Sequence, residues 1–292
     1  MASKQYISII RLFEHTGIDY EGEINIARIK KQLNAEFGFT ETGFIEIDGY
    51  TYNKTDVLEE LDNPDFLIRL PYHIRIWNNK FFLIILEDNI VNLVELNTAI
   101  VEFESDEVFD HQFCGYLASP FNHISRNFIS NNQLEDLGEW LRYETFILPQ
   151  DREEAFRSIR VFMDETLRTL KNISTENYDV FKPKLKEWLE PGWYKMMNNL
   201  PDEFYEQKND IVFHLINLTV TIQKSNKKDC RSISSELINL KDLRGNMMET
   251  IHKNDSVYND NFSSSGSGTS YRWLIWVLIA LARILASSHG CN

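Results

Sequence analysis

The residues most able to do chemistry at close spacing are Asp110, His111 and Cys114, with His123 nine residues after the cysteine. His111 and Cys114 share a helical face, and zinc accepts both ligand types. A structural zinc site needs four well-spaced ligands, however, and of the His and Cys type this stretch offers three at most, His111, Cys114 and His123. A buried thiol beside a surface histidine is the expectation. Glu249-Thr250-Ile251-His252 matches the Glu-x-x-His step of di-iron bundles, but such centres need two steps and two further inward glutamates. Glu59, Glu60 and Asp62 have no visible partner that would tune their acidity and are read as solvated helix positions. Lys224, Lys227 and Lys228 read as a solvated turn, with lipid headgroups or an acidic partner as the alternative.

A phosphate-cradling loop, a dinucleotide fingerprint, a nucleophile elbow and a zincin helix are all absent from the sequence. No catalytic residue, cofactor or metal is therefore expected, and the chain reads as a non-enzyme. A buried cluster of perturbed acids and histidines would reopen the enzyme reading. The segment Trp188-Leu189-Glu190-Pro191-Gly192-Trp193-Tyr194 joins aromatic groups across a chain break. Core packing is the first reading of Trp188, Trp193 and Tyr194, and a docking surface for a protein partner is the second.

The elements that must position these groups are mostly helical. Tyr6, Ile9, Ile10 and Phe13 recur at helical spacing, as do Ile26, Ile29, Leu33 and Phe37 before Gly38. Alternating residues around Asp48-Gly49 predict a hairpin with a type I′ turn, and Asn53 or Thr55 can cap the next helix. Two helices and a hairpin invite comparison with a winged-helix module. Residues 1–62 carry twice as many acids as bases, which opposes DNA reading.

Beyond Pro64 the pattern is helical to about Asp255, with breaks expected at Pro71 and at Asn78-Asn79. The run Phe81 to Leu86 is read as buried helix. One helix is expected from Asp151 to Leu170, another from Pro201 to Ile222, and a last one through Ile233, Leu237, Leu240, Met247 and Ile251. The expected class is mainly α, a helical bundle or stacked helical hairpins, with a small α+β hairpin unit at residues 1–62. Residues 63–255 make the helical domain, and 256–270 a flexible Ser/Gly linker.

Residues 271–288 contrast most sharply with the rest. Trp273, Trp276, Leu278 and Leu281 sit in an apolar run that also carries Arg283. Eighteen helical residues rise about 27 Å, near the hydrocarbon thickness. Arg283 is costly at mid-bilayer, less so if its side chain snorkels outward. A spanning anchor is the leading expectation, beside an interfacial helix and a helix buried in protein.

The N-terminus lacks the apolar core of a signal peptide, and three scattered cysteines, Cys114, Cys230 and Cys291, fit a reducing compartment. A net charge of −14 opposes a nucleic-acid surface. The expectation is a tail-anchored, cytosol-facing interaction or scaffold protein, touching membrane lipid through its last helix and an unidentified protein through its body. The alternative is a membrane-disrupting or pore-forming effector in which homo-oligomer formation brings the last helices together.

Overall fold

The computed structural model describes residues 5–40, 43–87 and 106–263. They are mainly helical, with one small two-stranded antiparallel sheet. They form two packed units. The first takes the described residues up to Ile124 together with Phe146–Phe156, and the second takes Ser125–Thr145 and those from Arg157 onward.

The first unit opens with α1 (Ile9–Thr16) and α2 (Ile26–Gly38), whose Ile9, Phe13, Leu33 and Phe37 enter one core. Strands β1 (Phe44–Ile47) and β2 (Tyr50–Asn53) pair with Ile47 opposite Tyr50 and Ile45 opposite Tyr52. Asp48 and Gly49 both take positive φ, 51° and 83°, the geometry of the expected type I′ turn. Ile45 and Ile47 are buried while Phe44 and Glu46 are exposed, so the strand reads with period two. The Asn53 side chain accepts from the Thr55 N–H and starts α3 (Lys54–Asp62).

Helix α4 (Phe66–Asn78) runs through Pro71 without ending there, which corrects the expected break. The proline removes the bond that would reach the Leu67 carbonyl, but Leu67 is 53% exposed, so water can satisfy that group. Burial of Leu70, His73 and Ile76 on the other side holds the helix together. The Asn78-Asn79 break is present, with the Asn79 side chain accepting from Phe82 N–H to cap α5 (Lys80–Leu86). Asp106 caps α6 (Glu107–Phe113) through Val108 and Phe109, and a single turn of tighter helix follows at Cys114–Tyr116. Helix α7 (Ala118–Ser130) begins in the first unit and ends in the second.

The second unit continues with α8 (Leu134–Leu141). The expected single helix from Asp151 to Leu170 is instead α9 (Arg152–Ala155), in the first unit, and α10 (Arg157–Lys171), in the second. Phe156 breaks it because its ring is buried edge-on against Phe121 at 5.4 Å in the first unit, whereas Ile159 and Met163 are buried on α10 in the second. Helices α11 (Tyr178–Trp188) and α12 (Pro191–Asn198) flank the Pro191 break. Helix α13 (Tyr205–Ile222) packs on α10.

The last expected helix is also divided, into α14 (Lys227–Leu237) and α15 (Met247–Ser263). Asn198 Oδ1 accepts from Lys241 N–H at 2.9 Å, and buried Asn209 Oδ1 accepts from Arg244 N–H at 2.7 Å. Those bonds satisfy loop backbone that a continuous helix would have paired internally. Helix α15 carries the chain to Ser263; residues 264–270 of the tether and the whole segment 271–288 lie outside the described residues. Among the described residues, no helix is long and apolar enough to cross a membrane.

Helices α8 and α12 cross at close range. A Cβ on Gly138 would meet Met196 N at 2.9 Å, and one on Gly192 would meet Glu135 N at 2.9 Å. Glycine at both points is what lets the two backbones approach.

Candidate functional site

A cleft of about 510 Å³ opens in the first unit, within the range of small-molecule sites. One wall is a face of α3. Asp56, Glu59, Glu60 and Asn63 follow i, i+3, i+4, i+7 spacing, so all four look the same way. The stretch entering α1 contributes Gln5, Tyr6 and Ser8, and β2 supplies Tyr50 and Tyr52. Arg69 of α4, Glu87 just after α5 and Tyr116 complete the lining.

Beneath this surface lies a buried polar network. Glu60, expected to be solvated, is 8% exposed, and its Oε1 lies 3.0 Å from both Arg69 Nη2 and His73 Nε2. Expectation failed here because Arg69 and His73 come from the next helix, and only packing brings them over α3. Arg69 Nη2 also donates to the Tyr116 hydroxyl at 3.0 Å. With the His73 proton held on Nε2 by the carboxylate, Nδ1 accepts from the Tyr6 hydroxyl at 3.1 Å. The imidazole stacks on Tyr6 and meets the edge of Phe113, with centroids 5.6 and 5.0 Å apart.

A second pair borders the same cleft. Arg11 Nη2 donates to Glu87 Oε2 at 3.0 Å, and its guanidinium lies 3.8 Å over the Tyr50 ring. Glu87 Oε1 is 2.9 Å from the same nitrogen, and the Tyr50 side chain also hydrogen-bonds to Glu87. Arg69 Nε and Arg11 Nη1 are buried without an acceptor among the described residues.

Electrostatics follow from burial. Desolvation lowers His73 below its ordinary pKa despite the pull of Glu60, so the ring is neutral. Burial raises Glu87, with the Arg11 hydrogen bond pulling the other way. Burial by itself would lower Arg11, yet its bond and charge contact with Glu87 leave it raised. Burial also lifts the Tyr6 hydroxyl well above its usual value, and the nearby Glu87 and Glu60 add to that. Tyr52 is pushed up to about 12, again chiefly by burial.

This arrangement suits binding better than proton transfer. Both His73 nitrogens are engaged inside the unit, and the phenols stay protonated far above neutral pH. Arg11 and Arg69 balance Glu60 and Glu87 in formal charge, whereas Asp56 and Glu59 form no ion pair among the described residues. The cleft therefore has a neutralised floor and an acidic wall.

The groups singled out from sequence lie elsewhere. Cys114 is buried with its Sγ 3.7 Å from Asp110 Oδ1, while His111 and His123 are exposed. No group of three potential metal ligands occurs among the described residues. Glu249 pairs with Lys253 and His252 faces solvent. Asp62 is exposed and pairs with Lys30, and Glu59 is also exposed. Lys224 and the α14 residues Lys227 and Lys228 are exposed. Trp188 and Trp193 are buried in the second unit and Tyr194 is half-buried, so Tyr194 is the ring of the three with surface to offer. Trp273, Trp276, Leu278, Leu281 and Arg283 lie outside the described residues.

The one sequence signal for the network was Arg69 and His73, four residues apart on the face of α4 that also holds the buried Phe66 and Ile76. Polar groups on an apolar stripe need partners. Comparison with protein-family models, curated proteins and solved structures finds no match.

Proposed function

We propose that this chain is a membrane-anchored, cytosol-facing protein that works by binding other proteins, held to lipid through residues 271–288. The observation that carries the reading is the apolar run from Trp273 to Ala282, flanked by Arg272 and Arg283 and preceded by the Ser/Gly tether. Helix α15 delivers the chain to that tether. A flexible tether raises the local concentration of the body near the bilayer without fixing its orientation. In the second unit the packing of α13 on α14 and of α14 on α15 supports a stack of helical hairpins. Such an arrangement offers broad helical faces to a partner.

Membrane fractionation tests the anchor. The full chain should stay in the pellet after a carbonate wash, and a chain ending at Ser270 should be released. If both are released, residues 271–288 are not an integral anchor and the reading fails.

A second reading rests on Arg283, because an intramembrane arginine is costly and several copies together would line a polar defect. In that case the chain disrupts bilayers when it self-associates. Expression would arrest growth, and Arg283→Leu or truncation at Ser270 would relieve the arrest. Harmless expression at high level would remove this reading.

A further inference from the structure

We propose that the cleft of the first unit binds an organic ammonium group, either of a free amine or of a lysine side chain. Nothing in this inference depends on residues 271–288. Asp56, Glu59, Glu60 and Glu87 line the cleft; Arg69 neutralises Glu60 and Arg11 neutralises Glu87, which leaves Asp56 and Glu59 as lining carboxylates outside any ion pair among the described residues. Arg69 Nη2 is committed to Glu60 and Tyr116, and the guanidinium N–H groups left without an acceptor among the described residues, Arg69 Nε and Arg11 Nη1, are buried, so an anionic ligand would meet the unpaired carboxylates of α3 first. Glu87 is bonded to Arg11 and to the Tyr50 side chain, so the acceptor a ligand can reach is the exposed pair Asp56 and Glu59. An ammonium carries three donors in a compact head and matches such an acceptor.

The rings fit the same chemistry. Tyr6, Tyr50, Tyr52 and Tyr116 line the cleft, and cations bind to aromatic faces. Tyr50 already shows the pairing within the protein, with the Arg11 guanidinium over its face. Aromatic walls also cover the methylene stem of an alkylamine, which bare carboxylates would not.

The test is calorimetric titration of the full chain, held in an uncharged maltoside detergent, with spermidine and with Nα-acetyl-lysine methylamide. Salt is kept at about 0.15 M, where the Debye length is about 8 Å and diffuse attraction to the acidic surface is screened. Saturable binding of one equivalent of at least one probe is expected. Asp56→Asn with Glu59→Gln should weaken it about 10-fold or more, while Glu21→Gln with Glu23→Gln, which removes equal charge from exposed positions outside the cleft, should change it less than about 2-fold.

All four positions are exposed, and circular dichroism of each variant is the check that it is folded. Tighter spermidine binding assigns the site to a free amine; tighter binding of the lysine analogue assigns it to a partner's side chain. Either supports the proposal. Absence of saturable binding by both probes overturns it. So does an equal loss in the two double variants, which marks diffuse attraction, and so does preferential binding of citrate.

Discussion

At the residue scale, His73 couples the buried network to pH. Its folded pKa lies below the ordinary 6.5, so the unfolded chain binds the proton more readily. Stability from the neutral ring is complete above 6.5 and declines as pH falls below it toward the folded value. His214, lowered by burial and by Lys171, acts in the same direction. Glu87 acts oppositely: its raised pKa makes charging costly as pH climbs above 4.5. His73→Gln can keep both hydrogen bonds without titrating. Denaturant unfolding at about pH 7.5 and 5.5 should therefore show a smaller acid loss in the variant than in the native chain. Equal losses would mean His73 does not carry the effect. The two buried thiols give a second expectation. Cys114 and Cys230 are both raised to about 12, chiefly by burial, leaving on the order of one thiolate in ten thousand at pH 8. With Cys291 replaced by Ser, Ellman's reagent should react within minutes only after denaturant is added. Rapid reaction of the native chain would contradict the burial.

At the scale of elements, the α8–α12 crossing makes a comparison of two glycines informative. Gly138→Ala gains helix propensity of about 1 kcal/mol, but its Cβ would sit 2.9 Å from a backbone nitrogen that cannot rotate away. Overpacking of that kind costs about 1–3 kcal/mol, so the variant should be destabilised. Gly38→Ala, at the end of α2 with open space around it, should be neutral or stabilising by a few tenths to about 1 kcal/mol. Thermal melts of the pair decide the matter; similar shifts would mean the crossing is looser than 2.9 Å implies. The hairpin, the Asn53 cap and the Asn78-Asn79 break were legible because each depends on a few adjacent residues. The breaks at Phe156 and between Leu237 and Met247 were not, since their causes are Phe121, Asn198 and Asn209, distant in sequence. Pro71 failed as a breaker for a related reason: propensity is a local cost, and burial of the opposite face outweighs it.

At the scale of the whole molecule, residues 271–288 follow a Ser/Gly stretch, and the proposed anchor, hung on a tether, would add little to the folding of the body. Denaturant unfolding of the chain ending at Ser270 should then match the full chain in detergent within about 0.5 kcal/mol. A loss of several kcal/mol would place that segment inside the protein core. The mainly helical class and the position of the small hairpin were readable from sequence, because period, turn chemistry and capping act over a few residues. The acidic face of α3 was readable too, as spacing, but its meaning was not. Glu60 and Glu59 are adjacent and chemically alike, yet one lies over Arg69 and His73 and the other faces solvent. Sequence by itself determined the helical class, the hairpin with its neighbouring cap, and which segment stands apart in hydropathy. Only the tertiary structure decided which carboxylates are neutralised, which tryptophans are buried and where a cleft opens. Burial and charge pairing depend on contacts between residues far apart in the chain, and local pattern carries no record of them.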